Sequence, residues 1–286
     1  MALIEYTLFG KTDKVQNAIN RIKMYNPLEL GFDTPYYVCY SGGKDSDALR
    51  ILFELSGVPH DLVHNHTTMD APETVYYIRS IPKVQITYPD MSIHKLIVKK
   101  HMPPTRIHRY CCSYLKERGG TGRFVATGVR WSESVARSGR ASLEVQASKI
   151  SERLNLNSDN DENRRLIENC TLKGKRVLNP IIDWSDNDVW ELLNYYGCKS
   201  NPLYQCGYKR VGCVGCPMSY RRKDEFKQYP KYQQNYINTF ERMISAYPDN
   251  KKCSWSSGED VFDWWVNDKR KKDRNIENQL SFYEME

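Results

Sequence analysis

One stretch, Tyr36 to Gly57, YYVCYSGGKDSDALRILFELSG, constrains the fold of this 286-residue chain more than any other. Aromatic and β-branched residues predict a strand, and the apolar periodicity after Lys44 predicts a helix. Between them, Gly42 and Gly43 allow a short loop whose backbone N–H groups approach an anion at the positive end of the helix. The stretch therefore predicts a strand, a phosphate-binding loop and a helix in direct succession.

The same alternation continues along the chain. DLVHNH, VQITYP and RFVATGV are strand-like, whereas APETVYYIRSI and MSIHKLIVKKHM have helical periodicity. Alternation of this kind predicts an α/β fold with an open, mostly parallel twisted sheet flanked by helices. Residues 138–176 are polar and predict a surface excursion. Aromatic residues at helical spacing after Ser219 predict a helical C-terminal part.

These patterns divide the chain into three predicted segments. Residues 1–34 form a short N-terminal addition with an amphipathic helix that stops before Pro27. Residues 35–218 form the main α/β domain, and residues 219–286 form the helical C-terminal region.

Charge and cysteine content narrow the function classes. A net charge of +7 suits phosphorylated small molecules or nucleic acid, and an ordinary solvated surface explains it equally well. No apolar run approaches the length of a membrane span, and the N-terminus lacks a secretory pattern, so we expect a cytoplasmic protein that does not contact membranes. Nine cysteines in such a chain indicate metal binding or redox chemistry rather than disulfides.

The loop differs from the common P-loop, because Val38 and Asp45 stand where that motif has glycine and a hydroxyl residue. SGGKDS instead resembles the pyrophosphate loop (PP-loop) of the ATP pyrophosphatase superfamily, which has the adenine nucleotide alpha hydrolase-like fold. The resemblance implies binding of ATP or a related adenine nucleotide, together with magnesium. The residues implicated are Ser41, Gly42, Gly43, Lys44, Asp45 and Ser46.

Two further elements resemble the phosphoadenosine phosphosulfate (PAPS) reductase branch of that superfamily. An acidic-Pro-Glu-Thr turn, with Glu73 at its centre, follows the second strand and implies contacts to the nucleotide. His64 and His66 flank this turn, and we expect neither to be catalytic.

The second element, TGVRWSESVARSGR, resembles the family's Gly-x-Arg-x-x-Glu-Ser sequence and begins at Thr127. It implies that Gly128, Arg130 and Arg137 belong to the nucleotide site. Guanidinium groups suit phosphate because they can donate two parallel hydrogen bonds to it.

RYCCSYLKE and GCVGCP supply Cys111, Cys112, Cys213 and Cys216. Four thiolates suit zinc or an iron–sulfur cluster, although Cys-x-x-Cys alone could be a redox dithiol. The vicinal pair followed by Cys-x-x-Cys resembles assimilatory adenylylsulfate reductases, which implies a 4Fe–4S cluster, with zinc as the alternative. Because adjacent residues reach one cluster only with backbone strain, Cys206 is a candidate replacement for Cys111.

The resemblance extends through NPIIDWSDNDVWELL and NPLYQCGYKRVGCVGCP, and thus covers Tyr36 to Met218. Two departures affect the function that it implies. The chain lacks the Glu-Cys-Gly-Leu-His segment with which sulfonucleotide reductases attack sulfur, and its PP-loop is intact, as in ATP-using relatives.

We therefore predict an enzyme of adenylation-linked sulfur transfer. ATP adenylates an acceptor oxygen, pyrophosphate leaves, and sulfur displaces AMP. Lys44, Asp45 and Arg130 are the predicted catalytic residues: Lys44 stabilises the pyrophosphate charge, Asp45 helps to hold magnesium, and Arg130 holds the α phosphate. The expected partners are a sulfur donor protein or a thiol reductant, and tRNA or DNA as substrate.

Two alternatives have different chemistry. The first is reduction of PAPS or adenylylsulfate, with release of sulfite. The second is a nucleic-acid-binding module without turnover, suggested by the basic and aromatic runs SYRRKDEFKQYPKYQQ and KRKKDR.

Overall fold

The structure is a computed structural model that describes residues 1–8, 10–146, 154–156, 175–247 and 255–267. The chain divides into two compact units. The first unit comprises Met1–His66, Pro72–Tyr88 and Glu117–Val211, and the second comprises Thr67–Ala71, Pro89–Lys116 and the chain from Gly212 onward.

A seven-stranded sheet is the centre of the first unit, and its strand order is β5-β4-β3-β6-β9-β7-β8. The strands are β3 (Tyr36–Cys39), β4 (His60–Asn65), β5 (Val84–Thr87), β6 (Phe124–Ala126), β7 (Leu143–Gln146), β8 (Leu154–Leu156) and β9 (Lys175–Leu178). Neighbours from β5 to β9 pair in parallel, and β7 pairs antiparallel with β9 and β8. The predicted mostly parallel α/β sheet is thus confirmed.

Helices cover the sheet, and a small hairpin precedes the first of them. The hairpin consists of β1 (Ile4–Thr7) and β2 (Gly10–Asp13). The helices of the first unit are α1 (Lys14–Met24), α2 (Lys44–Ser56), α3 (Pro72–Ser80), α6 (Val135–Ser138) and α7 (Asp186–Tyr195). Two 3-10 turns, Trp131–Glu133 and Pro202–Tyr204, complete it.

The core of the first unit explains why β3 reads as continuously hydrophobic. Strands buried on both faces have no polar alternation. The Tyr36 ring contacts Phe53 of α2 edge-on at 5.2 Å between ring centroids, and Phe124 of β6 at 5.3 Å. Strand β3 and the C-terminal half of α2 are therefore held together by a packed aromatic core.

Part of the predicted surface excursion is instead a sheet strand. β7 falls inside residues 138–176, and its Leu143 and Val145 are buried. Two apolar residues in period-2 alternation suffice for a short strand, but polar neighbours hide them in the sequence. Residues 147–153 and 157–174 of the excursion lie outside the described residues.

The second unit is helical, as predicted for the C-terminal part. Its helices are α4 (Ile93–Lys100), α5 (Tyr110–Leu115), α8 (Arg222–Gln228), α9 (Pro230–Ser245) and α10 (Gly258–Asn267). The rings of Tyr236, Phe240 and Trp265 pack together, with Tyr236 and Trp265 centroids 4.7 Å apart. The run SYRRKDEFKQYPKYQQ enters α8 and α9, whereas KRKKDR lies outside the described residues.

The predicted boundaries at residues 34/35 and 218/219 stay predictions, and the compact units divide the chain at other points. α4 and α5, from the middle of the sequence, belong to the same unit as the C-terminal helices. None of the helices in the described ranges combines the length and apolarity that crossing a bilayer requires.

Candidate nucleotide site and cysteine cavity

The PP-loop lies at the carboxyl end of β3, an interior strand of the sheet, and leads directly into α2. Gly42 has a φ of +70°, and a Cβ there would lie 2.9 Å from Ile78 Cγ1. Only glycine satisfies both the left-handed backbone and the close approach of α3 without strain. The predicted glycine of the loop therefore has a structural reason at this position.

Ser46 and Gly43 fix the loop from within. Gly43 N–H donates to Ser46 Oγ at 3.1 Å, and the same hydroxyl donates to Gly43 O at 2.7 Å. Ser41 Oγ lies 3.3 Å from Ser46 Oγ. Ser46 thus orders the start of α2, and its hydroxyl is already engaged by the backbone.

Two residues that sequence reasoning missed support the loop from the 3-10 turn at Pro202–Tyr204. Tyr204 OH accepts the Lys44 backbone N–H at 2.8 Å, and buried Asn201 donates to Gly42 O at 3.1 Å. Both belong to the NPLYQCGYKRVGC stretch, and the resemblance of that stretch to the family was the one sequence signal that could have drawn attention to them. It carries no spacing rule that links it to a loop far away in the sequence.

Two buried cations and two carboxylates form a charged cluster beside the loop, which we call the loop ion cluster: Lys44, Asp45, Arg130 and Asp186. Lys44 Nζ lies 3.1 Å from Asp186 Oδ1 and 3.8 Å from Asp45 Oδ2. Arg130 Nε lies 2.7 Å from Asp45 Oδ1, and its Nη2 lies 2.8 Å from Asp186 Oδ1. The structure thus brings the three predicted catalytic residues together.

Asp186 is the member of the cluster that the sequence did not reveal. Asp186 is the first residue of α7, directly after the N-cap Ser185, and it contacts both cations. Burial alone would raise the pKa of Asp186, but hydrogen bonds and charge attraction from Lys44 and Arg130 lower it below its usual value. Asp186 is therefore a carboxylate anion beside two buried cations.

The contacts of the Gly-x-Arg element account for the residue types at its glycine, arginine and glutamate positions. A Cβ on Gly128 would lie 2.9 Å from the backbone oxygen of Asp45, so glycine permits this approach. Glu133 accepts from the Arg130 N–H at 3.2 Å and from the Arg137 guanidinium. Burial, together with repulsion from Arg210, lowers the pKa of Arg137 to about 10.

Glu73 lies in the first turn of α3 and lines an open cavity of about 1760 Å³ in the first unit. Asp186, Asn201 and Tyr204 line the same cavity. Glu73 thus shares a cavity with residues that touch the loop, although none of the hydrogen bonds described above joins it to the loop.

A buried carboxyl group lies on α2, close behind the loop. Asp47 is fully buried and accepts hydrogen bonds from Tyr40 OH at 2.6 Å and Tyr77 OH at 3.0 Å. Burial raises the pKa of Asp47 to about 6, although the two hydroxyl donors act in the opposite direction. Of the two histidines at the neighbouring strand end, His64 contacts Tyr40 O through Nδ1 at 2.9 Å, and His66 stacks on a tyrosine.

Four predicted metal ligands meet in the second unit. Cys111, Cys112, Cys213 and Cys216 line one cavity of about 50 Å³. Cys111 and Cys112 begin α5, and Cys213 pairs with Asp70 in an isolated β-bridge. The remaining predicted ligand, Cys206, belongs to the first unit, where it is exposed.

The donor set fits an iron–sulfur cluster or zinc in chemistry and number, because four soft thiols surround one partly apolar cavity. The thiols are not drawn together as a closed ligand shell: within the described ranges, no three metal-ligating side chains converge on one point. Burial raises the pKa of Cys213 to about 11, and the Lys116 ammonium opposes that rise. A cation beside the thiols favours their deprotonated, metal-binding form.

Two relatives are similar to this chain in sequence over aligned segments of different length. An uncharacterized 37.8 kDa protein of Escherichia phage 186 is 34% identical over 108 residues, which are 36% of this chain and 29% of that protein. An uncharacterized protein of Methanocaldococcus jannaschii is 26% identical over 251 residues, covering 81% of this chain and 46% of the other. The chain thus matches less than half the length of either relative.

A lower similarity joins the chain to the U34-tRNA thiolase NcsA of Methanococcus maripaludis, solved with its [4Fe-4S] cluster. It has 14% identity and a TM-score of 0.45, and covers 86% of this chain and 84% of that one. A likeness of this size carries no inference about chemistry.

The family is decided by a longer match. The phosphoadenosine phosphosulfate reductase domain matches residues 35–219, which include the loop, the Gly-x-Arg element and all five cysteines considered above. This match spans more than half of the chain, and the loop ion cluster and the cysteine cavity take most of their residues from it. The chain therefore belongs to the phosphoadenosine phosphosulfate reductase domain family.

Proposed function

We propose that this protein binds ATP at the PP-loop and uses it for adenylation-linked sulfur transfer. The observation that carries the proposal is the loop ion cluster. It holds Lys44 and Arg130, both almost fully buried, beside the N-terminus of α2 at the carboxyl end of β3. Two fixed cations next to helix N–H groups suit an oligophosphate better than a single phosphate.

We assign different work to the two cations. Lys44 begins α2, so its ammonium and the loop amides stabilise the charge that develops on departing pyrophosphate. The Arg130 guanidinium holds the α phosphate. An acceptor oxygen attacks the α phosphorus, the bond between the α phosphorus and the bridging oxygen breaks, and pyrophosphate leaves with the electron pair.

The second half of the reaction needs no net electrons when the sulfur is at the oxidation level of hydrosulfide. That sulfur attacks the adenylated acceptor, a bond to sulfur forms, and the bond to the AMP oxygen breaks. AMP leaves with the electron pair. A persulfide as sulfur source would additionally require two electrons from a thiol reductant.

Carboxylates and thiols supply the proposed cofactor sites. Asp45 offers an oxygen ligand of the type that magnesium prefers. Cys111, Cys112, Cys213 and Cys216 would hold a 4Fe–4S cluster, which when bound would carry the sulfur. Thr67, whose hydroxyl lies 3.3 Å from Cys213 Sγ, would hold that thiol in position.

Release of pyrophosphate from ATP tests the role of the loop. Purified protein with magnesium should release pyrophosphate, and Lys44→Ala should reduce the rate by about 100-fold or more, the loss typical when a charge-stabilising donor is removed. Lys83→Ala, at an exposed lysine of the same unit, is the matched control. Equal rates for Lys44→Ala and wild type would refute the proposal.

The family itself favours one second candidate, reduction of PAPS or adenylylsulfate. Such a reaction breaks the nucleotide's O–S bond and releases sulfite with electrons from a thiol reductant. Anaerobic incubation with either nucleotide and dithiothreitol distinguishes the two: sulfite formation without pyrophosphate release from ATP would establish the reductase.

A further inference from the structure

A strongly basic segment of the second unit has no role in the proposed chemistry. Residues 91–116 contain six Lys or Arg and no Asp or Glu, a formal charge of +6 within a chain whose total is +7. One of the six, Lys116, lines the cysteine cavity. The other five are exposed and define what we call the α4 cationic surface: Lys95, Lys99, Lys100, Arg106 and Arg109.

Folding alone does not account for this surface. Ile93, Leu96 and Ile97 are buried, so Lys95 and Lys99 occupy the opposite face of α4, and Lys100 is exposed as its last residue. Lys99 and Lys100 lie in the last turn, where their charges interact favourably with the helix dipole, but Lys95 lies outside that turn. Lys95 and Lys99 are a like-charge i,i+4 pair, an arrangement that destabilises a helix.

Four of the five cations have no acidic partner among the residues that the structure describes. In the ranges that the structure describes, none of Lys95, Lys99, Lys100 and Arg109 forms an ion pair. α9 packs against α4 and brings Glu241 near it, but that carboxylate accepts the Gly258 N–H. The same turn of α9 also brings the cation Arg242.

Apolar and aromatic groups lie among the cations. Ile107 is 85% exposed between Arg106 and Arg109. His101, the C-cap of α4, stacks on half-exposed Tyr247 with centroids 3.3 Å apart. Bases of single strands stack on such rings while cations hold the phosphates.

We propose that the α4 cationic surface binds single-stranded nucleic acid through its phosphates, with an unpaired base on the His101–Tyr247 pair. The proposal rests on the proposed function only in making this strand the acceptor of sulfur. Arg109 is two residues before Cys111 at the start of α5, so a bound strand would lie along the segment that carries the cysteines.

Fluorescence anisotropy with a labelled 20-nucleotide uridine RNA tests the surface, without ATP. The variant is Lys95→Gln, Lys99→Gln and Lys100→Gln together. The control is Lys11→Gln, Lys23→Gln and Lys83→Gln, three exposed lysines of the first unit. Both triple variants change the net charge equally, so a difference between them reports position and not total charge.

We expect wild-type binding that weakens steeply with salt. The α4 variant should bind about 10-fold more weakly at low salt, and the slope of log K against log salt should fall by about 2, or roughly 0.7 for each phosphate that a lysine no longer neutralises. The control variant should stay within about twofold. His101→Asn, which tolerates the left-handed cap but removes the ring, should weaken binding severalfold.

Three outcomes overturn the proposal: no RNA or DNA binding by wild type, equal losses in the two triple variants, or binding to phosphatidylserine vesicles but not to the oligonucleotide. A DNA 20-mer decides which nucleic acid is preferred. Thermal unfolding confirms that the α4 variant is folded. Pyrophosphate release measured in parallel separates the two proposals. Intact release without strand binding would overturn the nucleic-acid proposal and leave the proposed function standing.

Discussion

Asp186 contacts Lys44 and Arg130, the two cations proposed to hold phosphate, and would thereby compete with a nucleotide bound there. Its side chain is 59% exposed, so each contact with Lys44 or Arg130 is screened by water. An exposed charge pair contributes about 0.2–1 kcal/mol. The carboxylate therefore keeps the cations positioned at small cost to binding.

Asp186→Asn should strengthen binding of magnesium-free ATP. Removing the competing charge should lower Kd about two- to fivefold, the range that corresponds to about 0.4–1 kcal/mol. Titration calorimetry in EDTA measures the change. Asp33→Asn, an exposed residue with the same change of charge, is the control and should leave Kd unaltered. Weaker binding by Asp186→Asn would show that the carboxylate serves the nucleotide rather than competing with it.

Asp47 should make stability depend on pH. Its pKa is raised from 3.8 to about 6 in the folded state, so the folded protein binds its proton more tightly than the unfolded chain does. Stability from this group is thus present below pH 4 and is lost as pH rises to about 6. The loss is at most about 3 kcal/mol, because one pKa unit corresponds to about 1.4 kcal/mol.

Urea unfolding of wild type and Asp47→Asn at pH 4.5, 5.5 and 7 isolates this contribution. Asparagine does not titrate, so the stability of wild type relative to the variant should fall with rising pH. Because other groups titrate equally in both proteins, the difference is diagnostic. A constant difference across these pH values would contradict the raised pKa.

The strand–loop–helix element depends on Gly42 for two separable reasons, its positive φ and the nearness of Ile78. Gly57, the C-cap of the same helix, has a nearly identical φ of +69° with open space around its Cβ position. Gly57→Ala should therefore cost about 1 kcal/mol of stability, from backbone strain alone. Gly42→Ala should cost about 2–3 kcal/mol, because the new methyl group also displaces α3.

Chemical denaturation of the two glycine variants provides the comparison. ATP affinity should fall for Gly42→Ala and remain unchanged for Gly57→Ala, because only the former reshapes the loop. Equal stability losses would mean that α3 moves aside without cost. Equal ATP affinities would mean that the loop shape does not matter for the nucleotide.

The proposed nucleotide site and the proposed metal site belong to different compact units. All four thiols of the cavity belong to the second unit, whereas the loop ion cluster belongs to the first. Cys216→Ser, purified without oxygen, should lose most bound iron and its visible absorption, because a cluster needs its thiolate ligands. Its ATP affinity should stay within about twofold of wild type, because the loop ion cluster belongs to the other unit. A tenfold change in affinity would correspond to about 1.4 kcal/mol.

Cys206→Ser is the discriminating comparison. It should keep its iron, because the cavity already supplies four thiols without it. Iron lost from Cys206→Ser but retained by Cys111→Ser would exchange the two ligand assignments. Zinc instead of iron in wild-type protein, with no visible absorption, would replace the cluster with a structural zinc site.

Local chemistry made the sheet and its loop readable from sequence. The strand–Gly-Gly–helix pattern rests on steric and hydrogen-bonding rules that act within a few residues, so β3, the loop and α2 follow from 22 residues. Strand β7 was not predicted because its two buried residues lie in a polar segment, where no local rule favours a strand.

Long-range packing decided the rest of the site. Asp186 and Tyr204 lie about 140 and 160 residues after the loop, and no periodicity in the sequence predicts their contacts with Lys44. The sheet order brings them there, because strands distant in sequence end at one edge. Residue type alone therefore determined which chemistry the chain could offer. The tertiary structure decided which charges face each other, because electrostatic pairing depends on separation in space and not on separation along the chain.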